Sequence, residues 1–239
     1  RREAVRGAVQ AYEAQLQIDL LNAAGTVLYG GEATKMVELN ARSAVTYRDL
    51  LSLHLALNDA RCPTQTSYIF GSRNVDTRVI SNGRYMHVSS DLLPHLMGMK
   101  NLVDEPAWIG AEAYGDAGSL ANFEVGSIGP FRLVTPPEML HYAGKGADAA
   151  EDATKYHTTG GKLDVFPMLV VGSDSFSTIG FQYNGKNGKF QIISKMPGLE
   201  TADRNDPYGE MGFTSIKWYY GFLAQRAERL GLILTVAPL

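Results

Sequence analysis

Phe213-Thr-Ser-Ile-Lys-Trp-Tyr-Tyr-Gly-Phe-Leu223, then Ala-Gln-Arg-Ala-Glu-Arg229, then Leu230-Gly-Leu-Ile-Leu-Thr-Val236: these three consecutive pieces decide the fold. In the first, Ile216, Trp218, Tyr220 and Phe222 alternate with Ser215, Lys217, Tyr219 and Gly221. A period of two predicts a strand with one face buried. The third piece is almost continuously apolar, which predicts a strand covered on both faces. Between them, Gln225–Arg229 is a polar crossing. The chain therefore closes on a sheet, and the earlier segments are expected to pack against it.

Upstream, residues 1–24 read as one helix. Val5, Val9, Tyr12, Leu16 and Leu20 recur at spacings of three and four, and Gly25 stands where a C-terminal cap belongs. Such a rod is about 36 Å long, and only a stripe of it is apolar. Gly30-Gly31 break the chain, and Lys35–Asn40 reads as a short extended piece. A second helix is predicted over Thr46–Ala60, with Thr46 and Asp49 forming a capping box. Leu50, Leu53 and Leu57, flanked by Leu51 and Leu55, give it a broad apolar face, and Pro63 ends it.

From Ser67 the pattern turns to strands: Ser67–Gly71, then Arg84–Val88 after the Asn82-Gly83 turn signal. Ser89-Ser90-Asp91 offers a cap for a short helix through Leu92, Leu93, Leu96 and Met97. Glu105–Leu120 carries mixed signals and allows two short helices, around Pro106-Ala-Trp108 and Ser119-Leu120. Phe123–Gly129 and Phe131–Thr135 read as two strands about a Gly-Pro turn. Gly144–Lys162 is nearly devoid of apolar residues and reads as a long mobile surface loop. Val165–Val171 is a buried strand. Gly180–Tyr183 and Lys189–Lys195 flank a hairpin tip at Asn184–Gly188. Lys195–Gly212, polar and rich in Pro and Gly, is a second long loop leading into the strand quoted above.

The 239 residues suffice for one large or two small domains without a disulfide or metal staple. Cys62 is the sole cysteine, so no intrachain disulfide and no cysteine zinc cluster can form. One cysteine also fits a reducing cytoplasm. The 22 basic and 25 acidic residues give a net charge of -3, which argues against a dedicated nucleic-acid binder. No apolar run approaches the roughly 20 residues of a membrane span, and no signal peptide is visible.

Candidate chemistry is sparse. Gly180-Phe-Gln-Tyr-Asn-Gly185-Lys186-Asn187 has phosphate-loop spacing, but Asn187 stands where the magnesium-binding hydroxyl belongs and a strand pattern follows. An Asn-Gly hairpin explains it better. His87, Asp91 and His95 are spaced for one helix face, yet His87 falls in a strand, so a zinc triad is not expected. His54, His141 and His157 have no partner at ligand spacing. Neither Gly172-Ser-Asp-Ser-Phe176 nor Gly126-Ser-Ile-Gly129 is a nucleophile elbow. Asp104-Glu105 and Glu151-Asp152 read as solvated loop charge. Trp218-Tyr219-Tyr220 with Phe222 could stack single-stranded bases, but the mixed flanking charge favours core and subunit contact. The expectation is therefore a non-enzyme: no catalytic residues, no cofactor and no metal.

Several stretches do carry a family likeness. They are Asn40-Ala-Arg-Ser-Ala-Val-Thr-Tyr-Arg-Asp-Leu50, Phe123-Glu-Val-Gly-Ser-Ile-Gly129, Val165-Phe-Pro-Met-Leu-Val-Val-Gly-Ser-Asp-Ser-Phe176, Lys195-Met-Pro-Gly198, Asp206-Pro-Tyr-Gly209 and Gly212-Phe-Thr-Ser-Ile-Lys-Trp218. Together they resemble the major capsid protein of N-four-like (Schitoviridae-type) podoviruses, tailed double-stranded DNA phages. The likeness runs from about Thr34 to Val236. It implies an α+β chain of the Hong Kong ninety-seven-type capsid fold. On that likeness residues 1–62 form a peripheral domain with its spine helix, residues 63–178 an axial domain, residues 179–223 a peripheral hairpin and loop, and residues 224–239 a returning axial strand. The likeness also implies an N-terminal arm and an extended loop, which precede the spine helix in this fold and are expected upstream of Arg1. Trp218 and Tyr220 become core against the spine helix. The loop from Pro197 to Glu210 is expected to meet neighbouring subunits, through Pro197, Glu200, Arg204, Asp206, Tyr208 and Glu210.

The implied partners are copies of the chain itself, as hexamers and pentamers, with portal, scaffolding or decoration proteins. The enclosed DNA is held without sequence-specific binding, no membrane is involved, and assembly takes place in the host bacterial cytoplasm before the chain becomes part of the virion. A near-neutral wall suits packed DNA, because affinity for phosphate rises with each Lys or Arg engaged. The rivals are an encapsulin-like compartment shell and a nucleotide-binding enzyme using Gly180–Asn187.

Overall fold

Leu230–Val236 is a strand in which every residue is buried, as its apolar run predicts. The computed structural model describes residues 2–64, 66–70, 76–80, 83–113, 121–149, 154–178, 190–198, 200 and 204–239. In chain order its elements are α1 (Arg2–Ala23), β1 (Thr26–Tyr29), α2 (Tyr47–Asp59), β2 (Thr66–Phe70), β3 (Asp76–Ile80), β4 (Arg84–His87), α3 (Leu93–Met97), β5 (Trp108–Gly110), β6 (Glu124–Ile128), β7 (Phe131–Val134), β8 (Thr158–Thr159), β9 (Lys162–Leu163), β10 (Val165–Val171), β11 (Phe176–Thr178), β12 (Phe190–Lys195), β13 (Phe213–Trp218), β14 (Phe222–Ala224) and β15 (Leu230–Val236). The phosphate-loop candidate, the hairpin tip at Asn184–Gly188, the strand expected over Gly180–Tyr183 and the helix expected at Ser119-Leu120 all lie outside the described residues.

Two units divide the chain, one of Arg1–Asp19 with Phe176–Leu223 and one of Leu20–Ser175 with Ala224–Leu239. Residues 20–62, which the sequence reading grouped with the first helix, fall in the second unit. The reason is α2: its buried Leu50, Leu53 and Leu57 belong to the core over the sheet, and the helix packs on β15 and β1.

The second unit is built on a seven-stranded sheet of order β1-β15-β10-β4-β7-β6-β5. The β1–β15 and β4–β7 pairs are parallel and the others antiparallel. This mixture needs crossovers, and α2 lies on one of them. The capping box at its start forms as predicted: Asp49 N donates to the Thr46 hydroxyl, and Thr46 N donates to Asp49 Oδ2 at 2.9 Å. Such a cap contributes about 1 kcal/mol. Leu55, read as part of the apolar face, is instead exposed.

Three further expectations change. Lys35–Asn40 is not extended: Met36–Glu38 forms a 3-10 turn, because Glu38 Oε2 accepts from both the N–H and the hydroxyl of Thr34. These bonds hold the Glu38 carboxyl below its ordinary range. Trp108–Gly110 is not helical but an edge strand paired with β6. Around Gly144–Lys162, the described part lies mostly at the surface as read, but backbone bonds and the short β8–β9 pair tie it down. Gly146 N donates to Leu163 O, Ala147 N to Leu39 O, and Gly144 N to buried Asp164 Oδ1 at 2.6 Å. The small residues that looked like loop composition are what let these backbones meet, since a Cβ on Gly146 would lie 2.9 Å from Leu163 O.

The first unit holds α1 up to Asp19 and the β12–β13 hairpin, in register from Phe190↔Trp218 to Lys195↔Phe213. The strand predicted over Phe213–Leu223 is interrupted. It leaves the hairpin after Trp218 and resumes as β14, which pairs with β11. The interruption turns Tyr220 onto α1, where its hydroxyl donates to Asp19 Oδ2 at 2.6 Å and its ring meets Tyr12 edge-on at 5.2 Å. Burial, then the Asp19 carboxylate, pushes the Tyr220 phenol well above its usual range.

Candidate subunit-contact surface

The β12–β13 hairpin is a two-stranded ribbon, and such a ribbon is at best marginally stable alone. Alternation along β13 predicts a buried face through Ile216 and Trp218. The observed strand is exposed at every residue but Ile216, which is half-buried. Trp218 is thus not the core residue expected of it. On the ribbon and its connecting loop, Ile192, Ile193, Met196, Tyr208, Met211 and Phe213 are all exposed, Tyr208 the most at 76%.

The described part of the loop between the strands is held by its own bonds. Asp206 is 8% exposed. Its Oδ1 accepts from Glu210 N at 3.0 Å and its Oδ2 from Met211 N at 2.9 Å, with Lys195 Nζ 3.8 Å away. Gly198 N donates to Gly209 O, and Gly209 takes a φ of 65°, which suits glycine. Of the six residues singled out from sequence, Pro197, Glu200, Arg204, Tyr208 and Glu210 are exposed on this loop. Asp206 is turned inward, and its carboxylate is occupied by the loop's own backbone. Sequence reasoning did not single out Lys195, Met196, Met211 or Phe213. The signal was available for the first, since a Lys at the hairpin mouth and an Asp in the loop are natural partners.

The bond from Met211 N, followed by that from Glu210 N and the Lys195 charge, holds the Asp206 carboxyl below its ordinary range. A depressed pKa means order that is present above the ordinary carboxylate value and lost as pH falls through the lowered one. Asp206→Asn removes one acceptor oxygen. The amides of Glu210 and Met211 are expected to exchange hydrogen faster in that variant at neutral pH, while in the parent they lose protection only at acid pH. Equal exchange in both proteins would show that the carboxylate does not order the loop.

The other candidates do not converge. His87 is on β4, and burial lowers its pKa. His95 donates through Nε2 to Val45 O at 2.8 Å, and Asp91 accepts from the Ser89 hydroxyl at 3.0 Å. His141 and His157 each pack on the Phe166 ring, and Cys62 is buried. Among the described residues no group of three His, Cys, Asp or Glu side chains could hold a metal ion. Among the same residues, no helix is long and apolar enough to cross a membrane. The Tyr219 ring is covered by Lys217, whose Nζ is 5.2 Å from its centroid.

This mixed helix-and-sheet architecture is similar to that of a chain in a phage capsid. A chain of the capsid of Ralstonia phage GP4 superposes with a TM-score of 0.52 at 15% identity, over 90% of this chain and 53% of that one. The likeness in sequence is stronger. The major capsid protein of Pseudomonas phage KPP21 is 48% identical over 240 residues, which take in all of this chain and 60% of that protein. This chain thus spans about three-fifths of the length of that relative. No family model matches it.

Proposed function

We propose that the chain is the shell-forming part of a tailed-phage major capsid protein, a structural and non-enzymatic subunit that self-assembles into an icosahedral head around double-stranded DNA. The observation that carries this reading is 48% identity to a major capsid protein along the whole chain. The shared architecture with a second phage capsid supports it. In finer detail, the fold is of the Hong Kong ninety-seven type and the lineage that of the N-four-like podoviruses. The unit holding α1 and the hairpin is the peripheral domain, and the unit holding the seven-stranded sheet is the axial domain. Copies of the chain make hexamers and pentamers in the virion, after assembly in the host cytoplasm. Portal, scaffolding or decoration proteins complete the head.

The β12–β13 loop is the neighbour contact in this reading. It offers exposed apolar side chains on a ribbon that little else covers, and exposed apolar patches mark association sites. Each contact can be weak, because a closed lattice makes many at once. Arg204→Glu is expected to lower the yield of particles counted in negative-stain micrographs. The unfolding free energy should change by no more than about 0.5 kcal/mol, as for an exposed position. Normal particle yield would remove this loop from the interface. Particles that take up no nucleic-acid stain would favour a compartment shell of the encapsulin type instead.

A further inference from the structure

Arg84, at the start of β4, is 2% exposed. A buried guanidinium normally requires a carboxylate, and none bonds to this one among the described residues. Its Nη1 contacts His54 Nδ1 at 2.9 Å, and its Nη2 donates to Asn58 Oδ1 at 2.8 Å and to Cys62 O at 2.6 Å. All three acceptors are neutral. His54 and Asn58 lie in the C-terminal half of α2, and Cys62 lies three residues beyond its last residue, Asp59. Arg84 therefore fastens the C-terminal end of α2 to the sheet through neutral acceptors.

The arrangement depends on the protonation of His54. Arg84 can only donate, so His54 Nδ1 must be the lone-pair nitrogen. A proton there would remove the acceptor and set a second positive charge beside the guanidinium. Among the described residues, the groups recorded against the ring offer no relief. Arg84 faces it from β4, the Phe131 ring meets it edge-on from β7 at 6.1 Å, and Asn58 on its own helix is neutral. Burial first, and Arg84 second, lower the pKa of His54 below the ordinary 6.5.

We propose that the His54–Arg84 contact is an acid-sensitive clamp, helping to hold the C-terminal end of α2 on the seven-stranded sheet at neutral pH and weakening that hold in mild acid. This device belongs to the sheet unit alone and does not depend on the capsid reading. Its sign follows from the lowered pKa. The unfolded chain binds the proton more readily, so the clamp contributes fully above about pH 6.5. That contribution is lost as pH falls through the lower folded value.

The test is urea unfolding of the full chain between pH 7.5 and 5, for the parent and for His54→Gln, whose amide oxygen accepts without titrating. His87 is present in both proteins, so its own acid dependence cancels in the comparison. Within the window, each pH unit of acidification should raise the unfolding constant of the parent, relative to the variant, by up to about tenfold, the limit for one proton. Parallel pH profiles would overturn the proposal. A histidine NMR titration of the parent gives an independent reading should the variant fail to fold. His54 is expected to titrate below 6.5 with Nδ1 unprotonated at neutral pH, and titration at or above the ordinary value would overturn the clamp equally.

Discussion

Truncating Leu53 to alanine is expected to destabilise the sheet unit by about 3 kcal/mol, in the range for a fully buried leucine. For a unit of this size that corresponds to a fall in Tm of roughly 6 to 12 °C. The size of the effect follows from how closely α2 approaches β15. Leu53 is completely buried, and a Cβ added to Gly231 would lie 2.9 Å from its Cδ1. The glycine lets the leucine rest directly on strand backbone, and backbone cannot collapse into the space a truncation leaves. Leu55 lies on the same helix and is exposed, so Leu55→Ala is the control. It should change the unfolding free energy by no more than about 0.5 kcal/mol. Equal losses for the two variants in urea unfolding would mean that α2 does not pack on β15.

Thr235→Val is expected to cost about 2 to 4 kcal/mol, although the two side chains have nearly the same shape. Thr235 is wholly buried in β15. Its hydroxyl accepts from Val45 N at 2.8 Å and donates to Ser43 O at 3.0 Å, bridging positions 190 or more residues apart. Valine leaves both backbone groups buried without these bonds, and an unpaired buried polar group costs its full desolvation. Thr235→Ser keeps the hydroxyl and loses one methyl group, at a cost of about 1 kcal/mol. If Val and Ser variants unfold at the same urea concentration, the bridge contributes nothing and the threonine is there for its shape.

The hydroxyl bridge also shows where sequence reading stops. Thr235 breaks an otherwise apolar run, and within a strand it looks like a tolerated β-branched residue. Its importance depends on Ser43 and Val45, which no local pattern connects to it. The same holds for Arg84, which reads as the first residue of a strand after a turn. Nothing nearby in sequence announces that it will be buried against the far end of α2. Asp206 reads as loop charge offered to a neighbour, yet the backbone of its own loop takes both oxygens. In the candidate contact surface, the position and exposure of the loop were legible, because Pro, Gly and charge mark a turn excursion between strands. Which of its side chains face outward was not.

The amino-acid sequence by itself determined the elements whose signal is local. These are the amphipathic α1, the capped and leucine-rich α2, the Gly-Pro turn joining β6 to β7, and the continuous apolar runs of β10 and β15. In each, neighbouring residues carry enough periodicity or capping chemistry to fix the backbone, whatever packs on it. The tertiary structure alone decided the rest. It placed β1 parallel to β15, tied Gly146 and Ala147 to Leu163 and Leu39 through their backbones, left the β13 aromatics largely exposed, and turned Tyr220 onto Asp19. Strand order, and which side of a two-stranded ribbon is covered, depend on pairing energies between segments far apart in the chain. Those energies are set by three-dimensional neighbours, and a one-dimensional pattern does not contain them.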